Sequence, residues 1–450
     1  MPPRNLIVIF VTAVLSLACY QKAPHNRYAS VVADAMRLID LFYLEKLEET
    51  DKRKLFENAM NGMVEGLDQY SAYIGPESFQ EMEASLDQEF GGVGIEVEKS
   101  SPSEPLTVLS PVVGSPAYRA GMRAGDLILA IDGASTIGMG QKDAVQCMRG
   151  KPGSQVTLLV RHADSRQPVT MTIVREVIVV DSVLGDTRRP DGSWDYHLAE
   201  NPRIGLLRIA TFGKHTVEEL TRALSSTDKS GTPVQGLIVD LRGNAGGLFD
   251  SAVEVCDLFL DEGLIVSTKG RDGRIQSSYR ATASTTVPRN VPIAILVNKY
   301  SASASEIVAA CLQDHNRAVV VGSRSWGKGT VQNVFKLEGG RSALKLTTAG
   351  YSRPSGKNIH RHKDATEKED WGVRPNPGME VPLTDEETQK VFIRRRERDF
   401  VNRPGHPRTD GAKQDPAKTS STDERAEPVD DPQLRRAINY IERQLKQPKR

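Results

Sequence analysis

The sequence is short of net charge, of organised cysteine and of long apolar runs, and each shortage excludes something. Lys and Arg number 59 against 58 Asp and Glu, leaving a formal charge of +1 over 450 residues. No global basic field exists to hold nucleic acid, so that class of partner is excluded. The four cysteines, Cys19, Cys147, Cys256 and Cys311, have no C-x-x-C or Cys/His spacing. That rules out a disulfide framework and a zinc site readable from the chain. The apolar run Leu6 to Ala18 is too short to span a bilayer, which takes about 20 residues.

With Arg4 before it, that run has the shape of an export signal over residues 1–19. Leu15 to Cys19 resembles a lipoprotein cleavage site, with Leu17 where a smaller residue is usual. Lipidation of Cys19, plain cleavage and retention as a membrane anchor all stay open. The expected location is the periplasm or cell envelope. Loss of the leader leaves three cysteines, an odd number that reads as buried small hydrophobes rather than bridges.

What is present divides into segments. Residues 28–90 carry apolar positions at helical spacing, such as Met36, Ile39, Leu41, Tyr43 and Leu47, and predict an N-terminal helical segment broken at Gly75-Pro76. Residues 91–180 change to short strand-like runs (Ile95 to Glu98, Leu106 to Leu109, Leu127 to Ile131, Val156 to Val160, Thr170 to Val174) separated by glycine turns. From 181 to 400, apolar strands such as Gly236 to Leu241 and Ile293 to Asn298 alternate with helical stretches, which predicts a layered α/β domain. Residues 401–432 lack large apolar side chains and read as a disordered linker, and 433–450 return to helical spacing. Arg394, Arg395, Arg396 and Arg398 form a basic cluster, read as a solvated helix face before a lipid-headgroup contact.

Three stretches of the α/β domain carry chemistry. In Ser301-Ala302-Ser303-Ala304-Ser305-Glu306 a strand runs straight into a helix, which holds a serine at the helix's positive end beside N–H groups able to receive an oxyanion. Read alone, Ser303 with Glu306 fits the S-x-x-E capping box at least as well. Gly327-Lys328-Gly329-Thr330-Val331-Gln332 places a lysine between glycines. Such a lysine serves as a general base only when desolvated enough to be neutral. The Walker pattern fails there, because Gly329 stands where Ser or Thr is required. Gln332, four residues on, shares a face with Lys328 in an extended segment and is placed to orient the amine. Asp240-Leu241-Arg242-Gly243-Asn244-Ala245-Gly246-Gly247 is a strand entering a glycine turn, whose backbone N–H groups could complete an oxyanion hole.

Gly92-Val93-Gly94-Ile95, followed by Ser115-Pro116-Ala117 and by Ala124-Gly125-Asp126-Leu127-Ile128, resembles a PDZ domain. In that fold a glycine loop offers N–H groups to a peptide's terminal carboxylate, and the peptide adds as a strand. Taken in order, the motifs closely resemble the C-terminal processing peptidases, or tail-specific proteases, from about Val32 to Pro377. The resemblance implies an α/β multidomain fold, with a crotonase/ClpP-like protease core and an inserted mostly-β PDZ domain. It implies Ser303 as nucleophile, Lys328 as general base and Gln332 as its positioner, with Ala304 and the Gly246-Gly247 turn as oxyanion donors. Gly92, Val93, Gly94 and Ile95 become the peptide-binding loop, and the partners are protein substrates with accessible C-terminal tails. Neither metal nor other cofactor is implied. Homo-oligomers and PDZ gating follow from the resemblance alone, whereas membrane association through the N-terminus rests on the anchor reading of residues 1–19. Ala245 departs from the family's usual proline or glycine. The competing readings are a non-catalytic PDZ-containing peptide scaffold and a crotonase-like acyl-transfer enzyme.

Overall fold

A computed structural model describes residues 27–189, 191–229, 233–283, 285–399 and 431–447. The export signal and nearly all of the linker lie outside the described residues.

The N-terminal unit holds helices Arg27–Phe42 and Glu49–Glu65. Continuous helical spacing is interrupted sooner than expected. The second helix ends at Gly66, and the Asp68 carboxylate then accepts the N–H groups of Tyr70 and Ser71 at 2.8 and 2.9 Å, a turn that competes with helix. Ala72–Ile74 is accordingly a strand, not helix. Within this unit Arg53 donates to Glu57 and to the Tyr73 hydroxyl, each at 2.7 Å. Gly75 and Pro76 start the next helix, Pro76–Asp87, with the proline at its first turn where no N–H is needed.

Residues 89–179 form a module entered and left by one antiparallel ribbon, Glu89–Gly92 with Glu176–Val179. Its sheet runs Ile95–Glu98, Leu106–Pro111, Leu127–Ile131, Gln155–Arg161, Val169–Val174, all antiparallel. Alternate residues such as Leu106, Val108, Ile128, Leu158 and Val160 meet Met122 and Met148 in its core. Ile95–Glu98 is an edge strand, as is Val169–Val174 at the other end.

The larger domain is built on parallel strands Asn201–Ile209, Gly236–Asp240, Ile293–Val297 and Val319–Gly322, paired in that order. Their two-residue alternation separates two cores. Leu207, Ile209, Leu237, Val239, Ile295 and Val297 face helices Thr216–Lys229, Phe249–Asp257 and Ala304–Asp314. Ile204, Leu206, Ile238, Leu296 and Val321 face Leu434, Ala437, Ile438 and Ile441 of the C-terminal helix Pro432–Lys446. The predicted C-terminal helix is thus the outer layer of an α/β/α stack. A second sheet contains the hairpin Thr330–Leu337 and Ser342–Ser352 with Leu264–Lys269 and Ile275–Arg280.

Two expectations fail on side-chain packing. The arginine cluster, on helix Asp385–Glu397 and just beyond it, is a solvated face only in part: Arg394 and Arg396 are exposed, but the other two turn inward. Arg395 is buried against Asp186 at 2.6 Å, Arg398 joins the same carboxylate at 2.6 Å, and Arg396 bonds Glu96. Cys256 and Cys311 are buried, whereas Cys147 is exposed.

Candidate active site

The strand Ile293–Val297 ends in a tight loop whose serines divide the labour. Ser301 donates to Leu241 O at 2.8 Å and Ser305 to Asn244 O at 2.9 Å, tying the loop to the neighbouring strand and its turn. Ala302 N–H adds a third tie to Asn244 O at 3.0 Å. Ser303 is left at the N-terminus of helix Ala304–Asp314 with φ 57° and ψ −114°. A non-glycine residue there is strained, and the strain persists only because its neighbours are pinned on both sides.

The glycine turn abuts that serine. A Cβ added to Gly246 would lie 2.9 Å from Ser303 Cβ and 3.1 Å from Ala304 N, so only glycine permits the approach. The two candidate glycines differ. Gly246 N–H donates to Asn244 Oδ1 at 2.8 Å. The N–H groups of Gly247 and Ala304 are engaged by no described residue. Gly246 therefore shapes the turn, while Gly247 and Ala304 carry the open donors. Gly247 is itself clasped by the bridge to Phe212, where Leu248 N–H donates to Phe212 O at 2.7 Å.

The lysine loop is fastened to the same serine by Glu306, which is wholly buried. Its Oε2 accepts Ser303 N–H and Lys328 N–H, each at 2.8 Å. Its Oε1 accepts Gly327 N–H at 2.7 Å and the Ser325 hydroxyl at 2.5 Å. Four donors occupy the acceptor sites of one carboxylate, a set that suits the ionised form. Burial nonetheless pushes the Glu306 carboxyl above its ordinary range, opposed by those four bonds. The Tyr351 hydroxyl lies between the two backbones, 2.5 Å from Lys328 O and 3.1 Å from Ser303 O, and shares one proton between the two acceptors.

Lys328 is half-buried, and burial lowers its amine below the ordinary lysine value. The positive charge of Lys345 adds to the shift, while Glu306 opposes it. Gln332 does not bond the amine. Its Nε2 donates to Thr330 Oγ1 at 2.9 Å and Thr347 Oγ1 at 3.3 Å. The shared face does not extend to the lysine because the strand begins only at Thr330, two residues after it; within the strand the period of two holds, as the Gln332–Thr330 bond shows.

Sequence reasoning recognised Glu306 as a cap and missed its grip on the lysine loop. Asn244, Ser325, Lys345 and Tyr351 were not singled out. Asn244 stood inside the Asp-Leu-Arg-Gly-Asn motif and could have been questioned there, whereas Tyr351 carries no local signal.

In the smaller module Gly92 ends the entry strand, Val93 is buried, and Ile95 opens the edge strand. Gly94 sits at φ 75°, and a Cβ there would lie 2.3 Å from Ser115 Cβ. Glycine is thus required by internal packing as well as by any approaching ligand. Ser115 Oγ donates to Gly94 O at 2.9 Å. The N–H groups of Val93 and Gly94 are engaged by no described residue, which leaves two backbone donors beside an edge strand whose Val97 O accepts Gln141 Nε2 at 3.2 Å.

Comparison with known proteins places this architecture. Residues 203–376 match peptidase family S41, and residues 107–162 match a PDZ domain. The chain is 36% identical over 386 residues to the carboxy-terminal-processing protease of Bartonella bacilliformis, covering 84% of this chain and 82% of that one. It is 32% identical to the carboxyl-terminal-processing protease of Synechocystis, covering 72% of this chain and 71% of that one. It is 33% identical to the carboxy-terminal processing protease CtpA of Bacillus subtilis, covering 74% of this chain and 66% of that one. A strained serine at a helix N-terminus, two open backbone N–H donors and a PDZ module thus sit in a chain that belongs to the carboxy-terminal processing proteases, serine peptidases of family S41.

Proposed function

We propose that Ser303 is the nucleophile, that Lys328 is the general base, and that Ala304 N–H and Gly247 N–H receive the oxyanion. The uncharged Lys328 amine takes the Ser303 proton as Oγ attacks the scissile carbonyl. The carbonyl oxygen becomes negative, and the two N–H groups at the helix end and the glycine turn stabilise it. Collapse breaks the C–N bond, and the proton held by Lys328 passes to the leaving amine. Water then enters, gives a proton back through the same amine and releases the acyl group from Ser303. Glu306 and Tyr351 hold the two loops in register, and Gln332 buttresses the wall through Thr330 and Thr347.

The observation that carries this reading is Glu306 Oε2, which accepts Ser303 N–H and Lys328 N–H at the same distance, 2.8 Å. The PDZ module is assigned capture of a protein's C-terminal carboxylate on the Val93 and Gly94 N–H groups, with the tail adding to strand Ile95–Glu98. Export to the periplasm or cell envelope, membrane association through residues 1–19 and assembly into homo-oligomers belong to the same proposal, supported by the sequence pattern and the family. A fluorophosphonate probe is expected to label the parent protein and not Ser303→Ala, with casein cleavage lost in parallel. Cleavage retained by Ser303→Ala would sink the assignment.

A further inference from the structure

The Asp-Leu-Arg-Gly-Asn stretch that opens the glycine turn carries a buried charge cluster that the reaction above does not use. A guanidinium has five N–H donors, and Arg242 places all five on acceptors. Its Nε donates to Asp240 Oδ1 at 3.0 Å and one terminal nitrogen to Asp240 Oδ2 at 2.7 Å. That nitrogen also donates to Asp431 Oδ2 at 2.8 Å, while the other reaches Asp431 Oδ1 at 2.9 Å and Gln433 Oε1 at 3.1 Å. The side chains of Arg242 and Asp431 are 4% and 2% exposed.

Asp240 is local to the turn, but Asp431 and Gln433 arrive from the far end of the sequence. Asp431 also caps the C-terminal helix, its Oδ1 accepting Leu434 N–H at 3.0 Å. One carboxylate therefore joins the start of the helix on the outer face of the sheet to the root of the glycine turn. The root is rigid in other ways: Arg242 N–H donates to Asp240 Oδ1 at 3.0 Å, and Gly243 N–H to Asn298 Oδ1 at 3.1 Å. Without Asp431 and Gln433, three of the five guanidinium bonds vanish. A buried cation left so short of acceptors must draw in water or move, and its backbone moves with it.

We propose that Asp431 is a positioning residue for the reaction, delivered by the C-terminal helix, which acts through Arg242 to hold the Gly243–Gly247 turn in the geometry that receives the oxyanion. The inference rests on the assignment of that turn as an oxyanion hole.

The test uses the full chain. Asp431→Asn keeps the side chain's size and one acceptor oxygen, but sets an amide N–H2 against the guanidinium. Sites are counted by saturating fluorophosphonate labelling, and peptide hydrolysis is expressed per labelled site. The expected result is a kcat per site lower by about 10- to 100-fold, with KM within about threefold of the parent. Asp431→Glu, which restores the charge, recovers part of the loss. Gln433→Ala, which removes one acceptor of the guanidinium together with the bond from Gln433 Nε2 to Val381 O, lowers kcat in the same sense but less, and serves alone should Asp431→Asn not fold. Asn439→Ala, on the exposed side of the same helix, keeps the parent rate. The inference is overturned if Gln433→Ala and Asp431→Asn keep the parent kcat per site, or if activity falls only in proportion to the number of labelled sites. Hydrolysis by Ser303→Ala would instead overturn the underlying assignment. An inactive Ser303→Ala beside a fully active Asp431→Asn removes this inference alone.

Discussion

Ser303 and Lys328 donate their backbone N–H groups to the same oxygen atom, Oε2 of Glu306, each at 2.8 Å. The strained backbone of Ser303 and the loop of Lys328 are therefore one mechanical unit. Neither can shift without disturbing a buried carboxylate that also holds Gly327 and Ser325.

The first consequence concerns pH. A general base works in its neutral form, and burial lowers the Lys328 amine below 10.5. The rate should therefore rise with pH along a limb centred below the ordinary lysine value. Lys328→Ala should lose about 10²- to 10⁴-fold in kcat. Lys328→Arg should not recover it, because a guanidinium keeps its proton throughout this range. A pH–rate profile of kcat/KM on parent and variants checks both points, and near-native activity in Lys328→Arg would refute the base assignment.

Removal of the shared carboxylate should be costly. Glu306→Ala leaves four donors without their acceptor and should destabilise the fold by about 3 kcal/mol or more. Glu306→Gln presents an N–H2 group to N–H donors on one side, so it should lose activity with a smaller fall in melting temperature. Calorimetry beside casein hydrolysis separates the two variants. A Glu306→Gln enzyme with parent kcat would show that the staple is dispensable.

Gly247 should tolerate no side chain. It lies at φ 147°, and a Cβ would come within 2.1 Å of Phe212 O, so Gly247→Ala must displace the turn that is proposed to offer an oxyanion donor. A loss of about 100-fold or more in kcat is expected, as for removal of one such donor. Unchanged turnover in a folded Gly247→Ala protein would transfer the role elsewhere.

Tail capture is better tested on the substrate than on the loop, since any side chain at Gly94 collides with Ser115 and damages the module itself. Amidation of a long substrate's C-terminus removes the charge that two backbone N–H groups are assigned to hold. KM should then rise by about tenfold, while short peptides cleaved without the PDZ module are unaffected. Equal KM values for the acid and amide forms of the long substrate would argue against carboxylate recognition.

Asp431 should confer stability with a defined pH dependence. Burial raises its carboxyl, but the charge and hydrogen bonds of Arg242 outweigh that and hold it below 3.8. A depressed folded-state value contributes stability that is fully present above the unfolded value and lost as pH falls through the folded one. The melting-temperature gap between parent and Asp431→Asn should stay constant from neutral pH down to about 5 and close below 3.8. A gap that grows on acidification would contradict the ion pair.

The strands of the smaller module and the buried strands Gly236–Asp240 and Ile293–Val297 were legible because apolar, β-branched runs report local preference directly. Ile95–Glu98 and Leu127–Ile131 coincide with their expected ranges. The helix expected through Ala72–Ile74 was lost to Asp68, whose carboxylate fixes a turn that apolar spacing does not register. Gln332 was misjudged because counting in twos was carried back past the start of the strand at Thr330, to a lysine that is not in it. The arginines after Ile393 looked solvated because Asp186, which neutralises two of them, is some two hundred positions away.

What the sequence by itself determined was chemical identity: a serine at the mouth of a helix, a lysine between glycines, a glycine turn after a buried strand, and a Gly-Val-Gly loop before an edge strand. These are encoded in residues that are neighbours along the chain, so their local geometry follows from backbone preference. Only the tertiary structure decided which groups meet: Glu306 spanning the serine and the lysine, Gly247 rather than Gly246 keeping an open N–H, and Asp431 closing the shell of Arg242. Those choices depend on donors and acceptors matched across long separations in a water-poor interior, where an unmatched group is penalised and the surviving arrangement is the one that leaves few unpaired.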